Sequence, residues 1–95
     1  MHKALLLLKR IPKGKVVSYA ALAKACETPP RAIGRIMKCN KDFRYPCYKV
    51  VHADGRVGFY SNGGAKKKIE LLGKDGIKIK DGKVDRKCFW KPENF

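Results

Sequence analysis

Apolar residues in the first part of the chain recur at helical spacing. Ala4, Leu7, Leu8 and Ile11 stand at i, i+3, i+4 and i+7, and Pro12 and Gly14 end that run. Val16 and Val17 give a brief extended step. Ser18 is suited to cap a second helix whose stripe is Tyr19, Leu22, Ala23 and Cys26. Thr28 is placed to cap a third, with Pro29 and Pro30 in its first turn, where missing N–H groups cost little. The pattern predicts a buried face of Ile33, Ile36 and Met37 on that helix and an outer face of Arg31, Arg35 and Lys38. Two short helices joined by a tight turn, the second basic on its outer side, predict a helix-turn-helix.

After Asn40 the spacing changes. Tyr45 to Val51 reads as a tight apolar loop leading into an extended stretch, and His52 to Gly58 carries a turn at Asp54-Gly55. Ser61-Asn62-Gly63-Gly64 is loop-like, and Ala65, Ile69 and Leu72 then fall at helical spacing up to Lys74. From Gly76 to Asp85, alternating residues surround Asp81-Gly82, a hairpin signature. A hairpin after a helix-turn-helix suggests a wing. The expected fold is therefore mainly α with a small β part, a winged helix-turn-helix-like DNA-binding domain, with residues 1–95 forming one domain.

Charge narrows the partners. The chain carries 23 Lys and Arg against 8 Asp and Glu, a formal net charge of +15. Such a field concentrates polyanions and speeds their encounter with the surface. Nucleic acid fits best and an anionic membrane surface is the rival. A lysine-rich solvated surface of a heat-adapted protein is the plainer reading, in keeping with the absence of Gln. The longest apolar run, Ala4 to Leu8, is too short for a signal core or a membrane span, which argues against a membrane partner. Cys26, Cys39, Cys47 and Cys88 show no C-x-x-C pair and fit neither a zinc site nor a disulfide framework. Free thiols in an intracellular setting are expected, in cytoplasm and nucleoid or in a nucleus, with no metal and no cofactor.

Two local features bear on chemistry. Ala32 and Gly34, beside Arg31 and Arg35, leave the outer face of the third helix with little bulk, so its backbone could approach a groove closely; equally, Gly34 could serve tight helix packing. Cys47 follows a proline between the basic helix and a glycine loop. A thiol is a nucleophile only as thiolate, which needs cationic neighbours, a helix N-terminus or a proton acceptor. A cysteine in an apolar loop is otherwise a buried structural residue.

The order of motifs goes further. Val17-Ser18-Tyr19-Ala20-Ala21-Leu22-Ala23, then Arg31-Ala32-Ile33-Gly34-Arg35-Ile36-Met37-Lys38-Cys39-Asn40, then Pro46-Cys47-Tyr48-Lys49-Val50-Val51, then Tyr60-Ser61-Asn62-Gly63-Gly64 resembles the O6-alkylguanine-DNA alkyltransferases, specifically their C-terminal active-site domain, over about Leu5 to Trp90. The resemblance implies that Cys47 accepts the alkyl group in one displacement and stays alkylated. It implies that Arg31 fills the stack when the damaged nucleotide rotates out, and that Ala32 and Gly34 let the helix, with Arg35, lie in the minor groove. Tyr19 would help swing the phosphate and touch the base. Met37 and Val50 would line the pocket, Tyr60 and Ser61 would close it, and Asn40 would brace the active-site loop.

The chain also departs from the family pattern. Tyr48-Lys49 stands where the family has His-Arg, and by register from Leu71-Leu72, Asp75 takes the place of the Glu that ends its proton relay. Tyrosine, with an ordinary pKa of about 10, is a poor proton acceptor near neutrality. Asn62 is an extra residue in the closing loop, and the family's N-terminal domain has no counterpart in residues 1–95. Two functions follow from the resemblance: stoichiometric alkyl transfer from O6-alkylguanine in double-stranded DNA to Cys47, or non-catalytic lesion sensing. The expected protein is a monomer, working alone or beside or fused to another DNA-repair activity.

Overall fold

In the computed structural model, which describes residues 3–42, 44–60 and 63–92, the expected helices form with shifted edges. Helix α1 spans Lys3–Leu8 and buries Ala4, Leu7 and Leu8; a turn carries the stripe on to Ile11. Strand β1 (Val17–Ser18) runs directly into α2 (Tyr19–Ala25). The Ser18 hydroxyl accepts the Ala21 N–H at 3.0 Å, a cap worth about 1 kcal/mol.

Helix α3 spans Pro30–Cys39 and buries Ile33 and Met37, with Ile36 half-buried. Thr28 is not its cap. Pro29 holds that position with no side-chain acceptor, and its carbonyl takes the first helical bond from Ala32 at 2.9 Å. The reason is local: Pro29 is locked in extended geometry, and Pro30 has no N–H in need of a cap. The Thr28 N–H instead donates to the Ala23 carbonyl at 3.0 Å and closes the turn between α2 and α3.

A 3-10 turn at Cys47–Lys49 leads into β2 (Val50–Val51), which pairs in parallel with β1, Val17 beside Val50 and Ser18 beside Val51. This pair ties the start of α2 to the residues just after Cys47. Helix α4 (Gly64–Lys74) buries Lys68 and Leu72, whereas Ala65 and Ile69 are exposed, so the expected Ala65–Ile69–Leu72 stripe is rotated. Lys68 stands one turn before Leu72 on the same face, and its methylene stem takes the apolar position.

Strands β3 (Ile79–Lys80) and β4 (Lys83–Val84) form the hairpin, with positive φ at Asp81 and Gly82, the turn an Asp-Gly pair favours. The backbone then returns to the N-terminal half: Val16 N–H donates to Cys88 O and Trp90 N–H to Val16 O, both at 2.7 Å. Two apolar clusters result. One gathers Leu7, Leu8, Leu22, Ile33, Cys47 and Val50; the other gathers Val16, Val51, Val57, Leu72, Ile77 and Val84. Half-buried Tyr48 packs against both. The domain is a mainly helical, winged helix-turn-helix-like fold, and among the described residues no helix is long and apolar enough to cross a membrane.

Candidate functional site

Tyr19, Gly34, Met37, Lys38, Cys47, Phe59 and Tyr60 line one small pocket. The sequence places these residues far apart; folding joins the first residue of α2, one face of α3, the 3-10 turn and the segment before α4. Cys47 is 5% exposed and carries a free thiol. Its N–H donates to the Tyr45 carbonyl at 2.8 Å.

The loop before Cys47 is braced from α3. Asn40, the C-cap of that helix, is buried; its Nδ2 donates to the Tyr45 carbonyl at 3.0 Å and its Oδ1 accepts the Asp42 N–H at 3.1 Å. Asp42 in turn holds Arg44 through a 2.7 Å contact. Asn40 therefore fixes the path of the loop and lies outside the pocket lining.

Gly34 has an intelligible place. A glycine inside a helix costs about 1 kcal/mol relative to alanine, yet a Cβ built here meets nothing within 4 Å and the residue has no positive φ. Internal packing does not require this glycine, so the room it leaves faces outward, over the pocket. Ala32 is half-buried beside it, while Arg31 and Arg35 are exposed on α3 and away from the pocket lining. Arg35 borders a separate open groove with Leu5, Ile36, Cys39, Asn40 and Lys41.

Other expected positions are corrected. Val50 does not line the pocket: it is 0% exposed in the core, because its pairing with Val17 turns it inward. Asp75, expected at the end of a relay through Tyr48, is committed elsewhere. Its Oδ2 accepts Lys49 Nζ at 2.9 Å and the Gly14 N–H at 2.8 Å, and among the described residues no hydrogen bond joins it to Tyr48. Buried Lys49 also donates to the Pro12 carbonyl at 3.0 Å, so it draws the carboxylate behind the loop. Tyr48 is held above its ordinary pKa, first by burial and then by the charge of Asp75 and by Tyr60, so it stays protonated at neutrality. Ser61 and the extra Asn62 lie outside the described residues.

The sequence reading missed Lys68. It is fully buried, its Nζ donates to the Phe59 carbonyl at 3.1 Å, and it lies 5.7 Å from the centre of the Tyr19 ring. Burial pushes its pKa down to about 8, against which the charge of Cys47 acts to raise it. Tyr19 is raised by burial and then by Cys47, and its ring centre lies 5.2 Å from that of His52. Cys47, Tyr19 and Lys68 thus form one electrostatic group. The available signal was a lysine one turn from Leu72 on the apolar face, masked by the run Lys66-Lys67-Lys68. Phe59, 61% exposed at the pocket edge, was missed as well.

Residues 1–77 match the family model described as 6-O-methylguanine DNA methyltransferase, DNA binding domain, a stretch that includes Cys47. A bifunctional methyltransferase/endonuclease of Picrophilus torridus is 43% identical over 86 residues, covering 87% of this chain and 28% of that protein. A methylated-DNA–protein-cysteine methyltransferase of Thermococcus kodakarensis is 45% identical over 73 residues, 76% of this chain and 41% of that protein. The chain thus spans less than half the length of these relatives. Among solved structures, the O6-methylguanine-DNA methyltransferase of Pyrococcus kodakaraensis aligns with a TM-score of 0.71 at 42% identity, over 79% of this chain and 44% of that one. S. pombe Atl1, in complex with damaged DNA containing O6-carboxymethylguanine, aligns with a TM-score of 0.80 over 95% and 93% of the two chains; at 23% identity this is a likeness of fold.

Proposed function

The chain belongs to the 6-O-methylguanine DNA methyltransferase family, and from that premise we propose that it repairs DNA by moving an alkyl group from O6-alkylguanine to Cys47. The observation that carries the reading is the buried free thiol of Cys47 in a pocket walled on one side by the second helix of the helix-turn-helix. On this reading the chain corresponds to the cysteine-bearing domain of its relatives. Double-stranded DNA is the partner, and the nucleotide must leave the stack because a thiol cannot reach a base within a duplex. Arg31, exposed on the first turn of α3, fills the gap; Ala32 and Gly34 let the helix approach the groove; Arg35 adds phosphate contact. Met37 and Tyr60 hold the base, and Tyr19 meets its edge.

The step is one displacement. Cys47 Sγ attacks the alkyl carbon, the carbon–O6 bond breaks, a thioether forms, and the thiol proton ends on the released guanine. Lys68 supports this by stabilising the thiolate as an ammonium, and a pKa of about 8 lets it exchange protons near neutrality. The thioether is not reversed, so each molecule acts once. We place the protein inside the cell, as a monomer beside or fused to a second repair activity, which the bifunctional naming of its relatives supports.

A second reading, a lesion sensor that binds O6-alkylguanine without removing the alkyl group, is favoured by one observation: protonated Tyr48 makes no hydrogen bond to Asp75, so no relay leads from thiol to carboxylate among the described residues. Intact-protein mass spectrometry after incubation with an O6-methylguanine duplex separates the two. Transfer adds one methylene's mass at Cys47 in each molecule and nothing to Cys47→Ala. Unchanged mass together with selective binding of the lesion duplex would leave the sensor.

A further inference from the structure

The hairpin β3–β4 lies beyond the family match and outside the pocket, yet it is fastened to the segment that forms one pocket wall. Val84 N–H donates to Gly55 O at 2.8 Å, Val57 N–H donates to Gly82 O at 3.2 Å, and Arg56 bridges Lys83 antiparallel. The approach is close enough that a Cβ on Gly55 would sit 2.8 Å from the Val84 carbonyl oxygen. Phe59 and Tyr60 follow Val57 by two and three residues and line the pocket together with Gly34, Met37 and Lys38 of α3. The hairpin is thus fastened to the segment that runs, two residues on from Val57, into the Phe59–Tyr60 part of the pocket lining.

The pleat sorts the hairpin's side chains. Val84 is buried and Ile79 half-buried in the second cluster, which leaves Lys80 and Lys83 exposed on the opposite side. Lys78, Arg86 and Lys87 are exposed beside them. Among the described residues none of these cations has a carboxylate within ion-pair distance. Asp85 is engaged in accepting the Lys87 N–H at 2.9 Å. Elsewhere, Lys67 and Lys74 of α4 lie near Glu70, at 3.8 and 3.6 Å. A strand pair that displays cations free of ion pairs, with Lys83 acting only at longer range on Asp54, suits a regularly spaced polyanion.

We propose that the hairpin is a second phosphate-binding arm, with Lys80 and Lys83 gripping the DNA backbone at a point separate from α3. The proposal rests on the duplex-DNA reading above. Contacts from the hairpin, added to those of α3, would hold the backbone while one nucleotide turns into the pocket, and they add affinity without reading sequence.

The test compares Lys80→Ser/Lys83→Ser with Lys67→Ser/Lys74→Ser, which removes the same formal charge from α4. Binding to an undamaged duplex is measured against salt concentration. The hairpin variant is expected to lower the slope of log affinity against log salt by about 1.8, two phosphate contacts' worth, with little change in the α4 variant. Equal slopes in the two variants would overturn the proposal. So would an unchanged duplex slope accompanied by lost binding to phosphatidylserine vesicles, which would assign the arm to a membrane. Transfer from free O6-methylguanine base, read in parallel, reports on Cys47 alone: its absence in the unmodified protein counts against alkyl transfer and leaves the salt slopes interpretable.

Discussion

Among the described residues two lysines are buried, and the regions around them differ in kind. Behind the Cys47 turn, Lys49 is 4% exposed, pairs with Asp75 at 2.9 Å and donates to the Pro12 carbonyl at 3.0 Å, while Asp75 also receives the Gly14 N–H. Every partner there is protein, and the cluster ties the loop after α1 to the end of α4. In front of the turn, Lys68 is 0% exposed with no carboxylate in ion-pair distance among the described residues; it has one carbonyl, an aromatic ring and the field of Cys47. A buried charge with a full set of partners is part of the frame. A buried charge beside a pocket with no carboxylate partner is a candidate functional group.

The contrast breaks most readily at the rear. Asp75→Ala leaves Lys49 buried without its counter-charge, and urea denaturation should show a loss of about 3–5 kcal/mol. Replacing both partners, Lys49→Met with Asp75→Leu, should recover most of that. A loss well under 1 kcal/mol in the single variant would mean that water reaches the pair and that the two regions do not differ.

At the front the sign reverses. Lys68 is lowered from its ordinary 10.5 to about 8, so below pH 8 it is charged both folded and unfolded, and folding bears the cost of burying that charge. As pH rises from 8 to 10.5 the folded form releases its proton before the unfolded form does, and the wild type gains stability. Lys68→Met should therefore be more stable than wild type by roughly 3 kcal/mol below pH 8, with the gap closing across that window, while alkyl transfer slows about tenfold or more. A gap that stays constant with pH, or transfer at the wild-type rate, would put Lys68 with Lys49 as part of the frame.

The smallest effect sits at the boundary, where Tyr48 packs against both clusters. Tyr48→His offers a proton acceptor between thiol and Asp75 and should speed transfer a few-fold at neutral pH, with the gain fading below about pH 6.5 as imidazole protonates. Rapid-quench kinetics with a lesion duplex would show this; an unchanged or slower rate would mean that the geometry behind Cys47, rather than a missing base, limits the step.

How far these regions could be read in advance varied by element. The stripes of α1 and α2, the Ser18 cap and the Asp81-Gly82 turn depend on neighbours within a few residues, and each formed as the local pattern indicates. Helix α4 misled because a lysine took an apolar position that Ile69 was expected to fill; periodicity scores side chains by type and cannot see a buried methylene stem. Val50 misled because a parallel partner thirty-three positions earlier decided which way it faces. Asp75 misled because its Oδ2 is taken by Lys49 and by the Gly14 amide, partners that the helix register cannot show.

Cys47 thus stood out only through the resemblance of ordered motifs, whereas local order along the chain sufficed for the helix-turn-helix, the hairpin and the excess of positive charge. Those features rest on hydrogen-bond geometry, turn chemistry and summed charge over short spans. Folding in three dimensions determined which buried lysine meets a carboxylate and which a lone carbonyl, that Gly34 lines the pocket, and that the hairpin is fastened to the segment leading into it. Each of these depends on contacts between residues distant in the chain, where burial, and not residue type, fixes what a side chain can do.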